Sequence, residues 1–241
     1  MRAGRVRLVS FPSAGPSLVP TAPAAMRAAH PDVRITLAGA QPPRAVEMLR
    51  AGECEPALAY RYEDEDEDEG GGERAAAWEG LLMRPLLSDR LFAVLPAGHP
   101  PARGGGPVRT SDLADEPWIA GCPHCRRHLV GLCGRAGFRA AHRLRHRRLP
   151  GGRRPGGRRD GRLGAARPRA GGGTAARSGR ARLRPAARRD VAAVTLPDLA
   201  QVPAVDMMLG RLRLAALRDR PSVRVRAEAD VRLVVKRFLC G

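Results

Sequence analysis

Polar and apolar positions alternate over residues 5–10 (Arg-Val-Arg-Leu-Val-Ser) and then run apolar, the pattern of a strand entering a sheet. Phe11-Pro-Ser-Ala-Gly-Pro16 is a turn, and Ser13 or Ser17 is placed to cap a helix after it. Over residues 17–30, Leu18, Val19, Ala22, Ala25, Met26 and Ala29 recur at helical spacing; Pro20 and Pro23 fall near the start, and the first turn tolerates proline. His30-Pro31-Asp32 ends that helix. Residues 33–37 read as a second strand, 42–51 as a second helix opening on two prolines, and 56–60 as a third strand. This order, strand–helix–strand–helix–strand, implies parallel strands joined by right-handed crossovers.

Further along, residues 80–96 predict two strands around Ser88-Asp-Arg90, and 98–107 a Gly/Pro-rich loop. Thr110-Ser-Asp-Leu-Ala114 predicts a short capped helix, 118–121 a short strand, and 123–136 a helix with Leu129, Leu132 and Cys133 on one face. Between them, residues 63–69 are seven consecutive acids followed by three glycines. Like charges at that density repel, so the run reads as a solvated loop insertion, and it lacks the spaced ligands of a calcium loop. From Val191 a strand (Val-Ala-Ala-Val-Thr-Leu), a connection and a helix over 204–217 follow; 223–226 and 231–235 are strand-like but basic.

Charge changes the picture in one place. The 241 residues carry a net +19, yet residues 142–189 hold 17 arginines and one acid, Asp160, so this stretch alone is +16. The remainder is close to balanced, and the charge belongs to a segment rather than to the protein. That segment is mostly Arg, Gly, Ala and Pro, with no aromatic, and by composition it cannot bury enough apolar surface to offset its ordering entropy. Through phosphates alone it could bind nucleic acid nonspecifically, the alternative function, but no aromatics are interleaved to stack on bases. No run of 18 apolar residues exists, so no membrane span is expected. The N-terminus has no apolar signal core, which makes the cytoplasm the expected compartment. Five cysteines are too few and too uneven for a disulfide scaffold.

Several strings in order carry a resemblance. They are Gly4-Arg-Val-Arg-Leu-Val-Ser-Phe-Pro-Ser-Ala-Gly-Pro-Ser-Leu-Val-Pro20, Arg27-Ala-Ala-His-Pro-Asp-Val33, Glu47-Met-Leu-Arg-Ala-Gly52 and Arg84-Pro-Leu-Leu-Ser-Asp89. Leu95-Pro-Ala-Gly-His-Pro100, Asp112-Leu-Ala-Asp-Glu-Pro-Trp-Ile119 and Ala136-Gly-Phe138 continue the series. Together they resemble the effector-binding domain of LysR-type transcriptional regulators, over residues 4–141 and more weakly over 190–217. The resemblance implies an α/β, two-subdomain, periplasmic-binding-protein-like (type 2) effector domain, with the Arg/Gly-rich segment disordered and replacing part of the second subdomain. The expected layout is 4–82 for the first part of subdomain I, 83–141 for a partial subdomain II, and 142–189 disordered. Residues 190–217 are then the return strand and helix, and 218–241 a basic tail of unclear structure. It also implies a small organic effector in the cleft, DNA contact only through an N-terminal helix-turn-helix that this chain starts beyond, and pairing of two copies.

The strand ending at Ser10, the turn and the helix start bring backbone N–H groups together with the hydroxyls of Ser13 and Ser17, an arrangement suited to an anion such as a carboxylate. Each serine also has the simpler reading of a helix cap. Gln41, before the second helix, falls where the resemblance places a second effector contact, and Gly121 and Cys122 face the cleft from the other subdomain. Trp118 reads as packing. Cys122-Pro-His-Cys125, with His128 and Cys133, has three readings: structural thiols, a zinc site, or a redox pair. All four residues lie within one short stretch on a loop entering a helix, whereas zinc sites mostly use two separated knuckles. Structural thiols are therefore preferred and no metal is expected. No Ser/His/Asp arrangement, phosphate loop or pair of carboxylates on a structured element is present, so neither an enzyme nor a cofactor is expected.

Where residues 142–189 stand, the resemblance implies a segment like Phe-Ala-Thr-Asp-Asp-Tyr, an apolar helix, Gly-(apolar)-Gly-Val and a strand into Leu-Pro. Codons for His146-Arg-Arg-Leu-Pro-Gly-Gly152 can be written CAC CGA CGA CTA CCT GGC GGT. Dropping the first base, with the C of Arg153 following, gives Thr-Asp-Asp-Tyr-Leu-Ala-Val. The segment therefore reads as the product of a reading-frame shift in a GC-rich gene, with a compensating shift expected near 184–190.

Overall fold

The computed structural model describes residues 4–14, 18–63, 78–96, 99–100, 105–120, 122–140, 178–218 and 232–235. The first 62 residues form the expected alternation: β1 (Arg5–Ser10), α1 (Leu18–Ala29), β2 (Arg34–Gly39), α2 (Pro42–Arg50) and β3 (Ala57–Tyr62). β1 runs parallel to both β2 and β3, with Arg5 to Ser10 facing Arg34 to Gly39 in register. α2 stops where Gly52 takes a φ of +66°, while the amides of Gly52 and Glu53 bond the Leu49 and Met48 carbonyls. Glycine enters that left-handed conformation without a Cβ penalty.

After β3, the chain continues through β4 (Leu82–Arg90), β5 (Phe92–Pro96), β6 (Val108–Arg109), a 3-10 turn (Thr110–Leu113), β7 (Trp118–Ile119) and α3 (Pro123–Arg135). Ser88-Asp-Arg90 is not a turn between strands, as the sequence suggested. It completes β4, and the break falls at Leu91. The reason is pairing: Ser88, Asp89 and Arg90 each face a partner on the next strand of the sheet, Asp190, Arg189 and Arg188. β4 lies at a sheet edge and shifts register between Pro85 and Leu87, the kind of place where a strand accepts proline.

A second correction concerns the arginine-rich segment. Its last residues are ordered strand: β8 (Ser178–Arg184) and β9 (Arg188–Thr195), followed by α4 (Pro203–Arg218) and β10 (Arg232–Val235). In β8, Ala181 and Leu183 are buried while Arg182 and Arg184 are exposed, so a period of two runs beneath the arginine composition. The expected disorder over 142–189 is therefore corrected for residues 178–189, and residues 141–177 lie outside the described residues. The C-terminal stretch also acquires a place, because β10 pairs antiparallel with β7.

The chain divides into two compact units. The first, Met1–Phe92 with Arg182–Arg232, is built on a sheet ordered β2-β1-β3-β9-β4, in which β9 is antiparallel to β3 and β4. Val9, Ala57, Ala59, Ala192 and Val194 pack with Ala45, Leu49 and Cys54 of α2 and its exit on one face. By alternation Val6 and Leu8 of β1 point to the other, where α4 packs on β1, β4 and α1. Covering both faces suits the apolar runs Ala57–Tyr60 of β3 and Val191–Val194 of β9. Keeping β4 in this sheet moves the passage to the second unit to Phe92/Ala93, later than the 82/83 boundary read from the sequence. The second unit, Ala93–Ala181 with Leu233–Gly241, contains β5 to β7, α3 and β10. Trp118 packs there: it is fully buried, its Nε1 donates to the Leu113 carbonyl at 3.2 Å, and its ring meets Phe138 at 6.4 Å.

Candidate functional site

In the first unit, the 3-10 turn Pro12–Ala14 carries Ser13 between β1 and α1. The Ser13 hydroxyl is held by a residue from the far end of the chain. Arg189 on β9 donates from Nη1 to Ser13 Oγ at 3.1 Å. The same guanidinium donates from Nε and Nη2 to Asp89 Oδ2 at 3.1 and 2.7 Å. Its carbon centre lies 5.0 Å from the Phe11 ring and 4.8 Å from the Tyr60 ring, and these rings meet edge-on at 4.8 Å. Arg189 is only 2% exposed; hydrogen bonds and ring faces replace the water its charge has lost.

Gln41 belongs to the same cluster. It occupies the N-cap of α2 without a side-chain cap bond, and its Oε1 instead accepts the Tyr60 O–H at 3.2 Å. Pro42 and Pro43 occupy the first turn of α2, so that turn has fewer backbone N–H groups to offer an anion. Ser13 and Gln41 are thus linked through Arg189 and Tyr60. Ser17 and Gly121 lie outside the described residues. Cys122 is in the second unit, buried, as the N-cap of α3.

The hydrogen-bond directions fix the polarity of both side chains. A guanidinium can only donate, so the Ser13 oxygen is the acceptor in that bond and its hydroxyl proton is turned elsewhere. Likewise Tyr60 supplies the proton to the Gln41 carbonyl oxygen, which turns the Gln41 NH2 away from it. In this arrangement the Ser13 O–H and the Gln41 NH2 are not used in these two bonds.

Phe11, Tyr60, Asp89 and Arg189 were not singled out in the sequence. One signal was available: the alternation of β9 runs back from Ala193 through Val191 to Arg189, which puts Arg189 on the buried face. Its partners could not be found that way, since Ser13 is 176 positions distant and Asp89 is 100.

The four residues of the zinc reading are not brought together. α3 rises about 1.5 Å per residue, which sets Cys133 roughly 16 Å along the axis from Cys122. Among the described residues no group of three or more His, Cys, Asp or Glu could hold a metal. Burial pushes the Cys133 thiol from its ordinary value near 9 up to about 11. Cys54 also rises to about 11, through burial first and Glu55 second. The native state therefore keeps these protons where the unfolded chain has released them. Their contribution to stability is complete below pH 9 and is lost as pH rises through 11. Urea unfolding at pH 8 and at pH 10.5 should show the fall, and the double variant Cys54→Ala/Cys133→Ala should flatten it.

Among the described residues no helix is long and apolar enough to cross a membrane. The family described as LysR substrate binding domain matches residues 1–150. Among solved structures, the C-terminal domain of a probable LysR family transcriptional regulator from Rhodococcus sp. RHA1 is 20% identical, with a TM-score of 0.63 over 87% of this chain and 98% of that one. HinK, a LysR family transcriptional regulator from Pseudomonas aeruginosa, is 20% identical, with a TM-score of 0.61 over 89% of this chain and 71% of its own. The BenM effector binding domain with its effector benzoate is 15% identical, with a TM-score of 0.61 over 89% and 93%. At these identities the likeness shows the fold, which is the α/β, periplasmic-binding-protein-like (type 2) fold. No curated protein matches the chain. With the domain family matched over more than half its length, the chain belongs to the LysR substrate binding domain family, the effector-sensing domains of LysR-type transcriptional regulators.

Proposed function

We propose that this chain senses a small organic anion, a carboxylate, and that occupancy controls transcription by the regulator to which such a domain belongs. Ser13 and Gln41 hold the anionic group, and Ser17, Gly121 and Cys122 are the further effector contacts expected from the sequence. DNA contact falls to the helix-turn-helix part of such regulators, and two copies of the domain pair. The observation that carries the reading is the bond from Arg189 to Ser13 Oγ, which makes Ser13 a donor next to a buried cation. A carboxylate accepts such bonds in its charged form, whereas a primary amide meets them with one oxygen and two competing N–H groups. BenM, which shares the fold, is described with benzoate as its effector.

Thermal unfolding of the full chain with benzoate, short aliphatic carboxylates and their amides tests this. A carboxylate at a hundred times its Kd stabilises the native state by about 2.7 kcal/mol. Its amide should give little shift, and Ser13→Ala should remove the carboxylate effect. Equal shifts from acid and amide, or an undiminished shift in Ser13→Ala, would overturn the reading.

The chain is also proposed to be defective as it stands, because residues in the 142–189 segment are translated out of frame. Two observations support this. The family match ends at residue 150, inside the arginine-rich run, and regular strand pattern resumes at Ser178.

A further inference from the structure

Cys122 and Cys125 head α3 in the sequence Cys-Pro-His-Cys. Cys122 is the N-cap, and its Sγ accepts the backbone N–H of Cys125 at 3.1 Å, so its side chain is folded back over the first turn toward Cys125. Positions three apart at a helix start have Cα atoms about 5 Å apart, within the ~4.4–6.8 Å that a disulfide spans. Neither thiol is in a disulfide. Cys122 is buried, whereas Cys125 is half-exposed. The first turn holds no acid, and the exposed Arg126 and Arg127 follow it. Cys54 and Cys133 differ in kind: each is fully buried and kept protonated to about pH 11.

We propose that Cys122 and Cys125 form a redox-active dithiol that exchanges with low-molecular-weight disulfides of the glutathione type, a chemistry that needs no bound effector although Cys122 is also a proposed effector contact. The half-exposed Cys125 thiolate attacks one sulfur of the small disulfide, which expels one thiolate and leaves a mixed disulfide on Cys125. The Cys122 thiolate then attacks the Cys125 sulfur, closing the Cys122–Cys125 bond and expelling the second thiolate. The dithiol gives up two electrons and two protons, and the small disulfide takes up both as two thiols. The Cys125 N–H on Cys122 Sγ readies the resolving sulfur, and the half-exposed position of Cys125 makes it the entry point.

The sequence makes the test direct. Trypsin leaves Cys122 and Cys125 together on residues 110–126, while Cys54, Cys133 and Cys240 fall on separate peptides, 51–61, 128–135 and 238–241. The reduced full chain is exposed to glutathione disulfide, quenched in acid, alkylated with iodoacetamide and mapped by mass. Peptide 110–126 should lose two hydrogens, escape alkylation and return to the alkylatable form with dithiothreitol, while 51–61 and 128–135 stay reduced. In Cys122→Ser, glutathione should accumulate on Cys125, since the resolving thiol is gone. Serine is a favoured N-cap, so this variant keeps the start of α3. Alkylation of both cysteines after exposure, or oxidation spread evenly over the buried thiols, would overturn the proposal, as would a Cys122→Ser chain that accumulates no glutathione on Cys125.

Discussion

Replacing Arg189 with methionine is expected to lower the unfolding free energy by about 3 kcal/mol, because it breaks a buried ion pair from one side. The guanidinium holds Asp89 by two bonds and Ser13 by one, between two aromatic faces. Methionine fills most of the volume but removes both bonds that Asp89 Oδ2, on a side chain 24% exposed, accepts from Arg189. Arg189→Lys keeps the charge and loses both the fork and the planar stacking, so it should cost about half as much. Asp89→Asn alone should destabilise by about 2 kcal/mol, and the double variant Arg189→Met/Asp89→Asn by clearly less than the sum, since neither uncompensated charge remains. Guanidinium chloride unfolding of the four chains measures the cycle. An Arg189→Met chain within about 0.5 kcal/mol of wild type would mean the pair is peripheral to folding.

That cluster also shows where sequence reading stops. The β1-α1-β2-α2-β3 start was legible from local patterning: Leu18, Val19, Ala22 and Met26 are the buried face of α1, although Ala29, at the same predicted spacing, is exposed. Ser13 and Gln41 were legible because they sit at turns that precede helices. Their surroundings were not, because Phe11, Tyr60, Asp89 and Arg189 meet only through the order β3-β9-β4, which no local pattern encodes. β8 was missed for a different reason. Residues 180–184, Arg-Ala-Arg-Leu-Arg, are a half-buried strand by alternation, but their arginine content groups them with a stretch that has no such pattern. Leu91 misled in the opposite way. It is buried, so the break between β4 and β5 falls on an apolar residue rather than on the polar Ser88-Asp-Arg90.

The alternation in β8 also sharpens the frame proposal. If Ala181 and Leu183 are the inward positions of an in-frame strand, the return to frame lies ahead of Ser178, not near 184–190. The nucleotide sequence of the gene is then expected to read Thr-Asp-Asp-Tyr-Leu-Ala-Val one base into the codons of residues 146–152. A chain re-expressed with that frame restored up to residue 177 should be more stable than this one. The restored segment replaces an arginine-rich run with an apolar helix, and burying four or five of its side chains supplies a gross ~1.5–3 kcal/mol each. Ordering the segment's backbone opposes most of that gain, at about 1–2 kcal/mol per residue before hydrogen bonds and packing are counted. The net effect expected is a rise in melting temperature of roughly 10 °C or more, from a few kcal/mol of added stability. It should be accompanied by less aggregation, since apolar surface that the missing helix would cover is no longer exposed. Codons that forbid Thr-Asp-Asp-Tyr in the neighbouring frame would end the proposal outright. A restored chain that melts no higher would leave the frame reading standing on the nucleotides but refute its physical consequence, that the missing helix and strand are part of this domain's core.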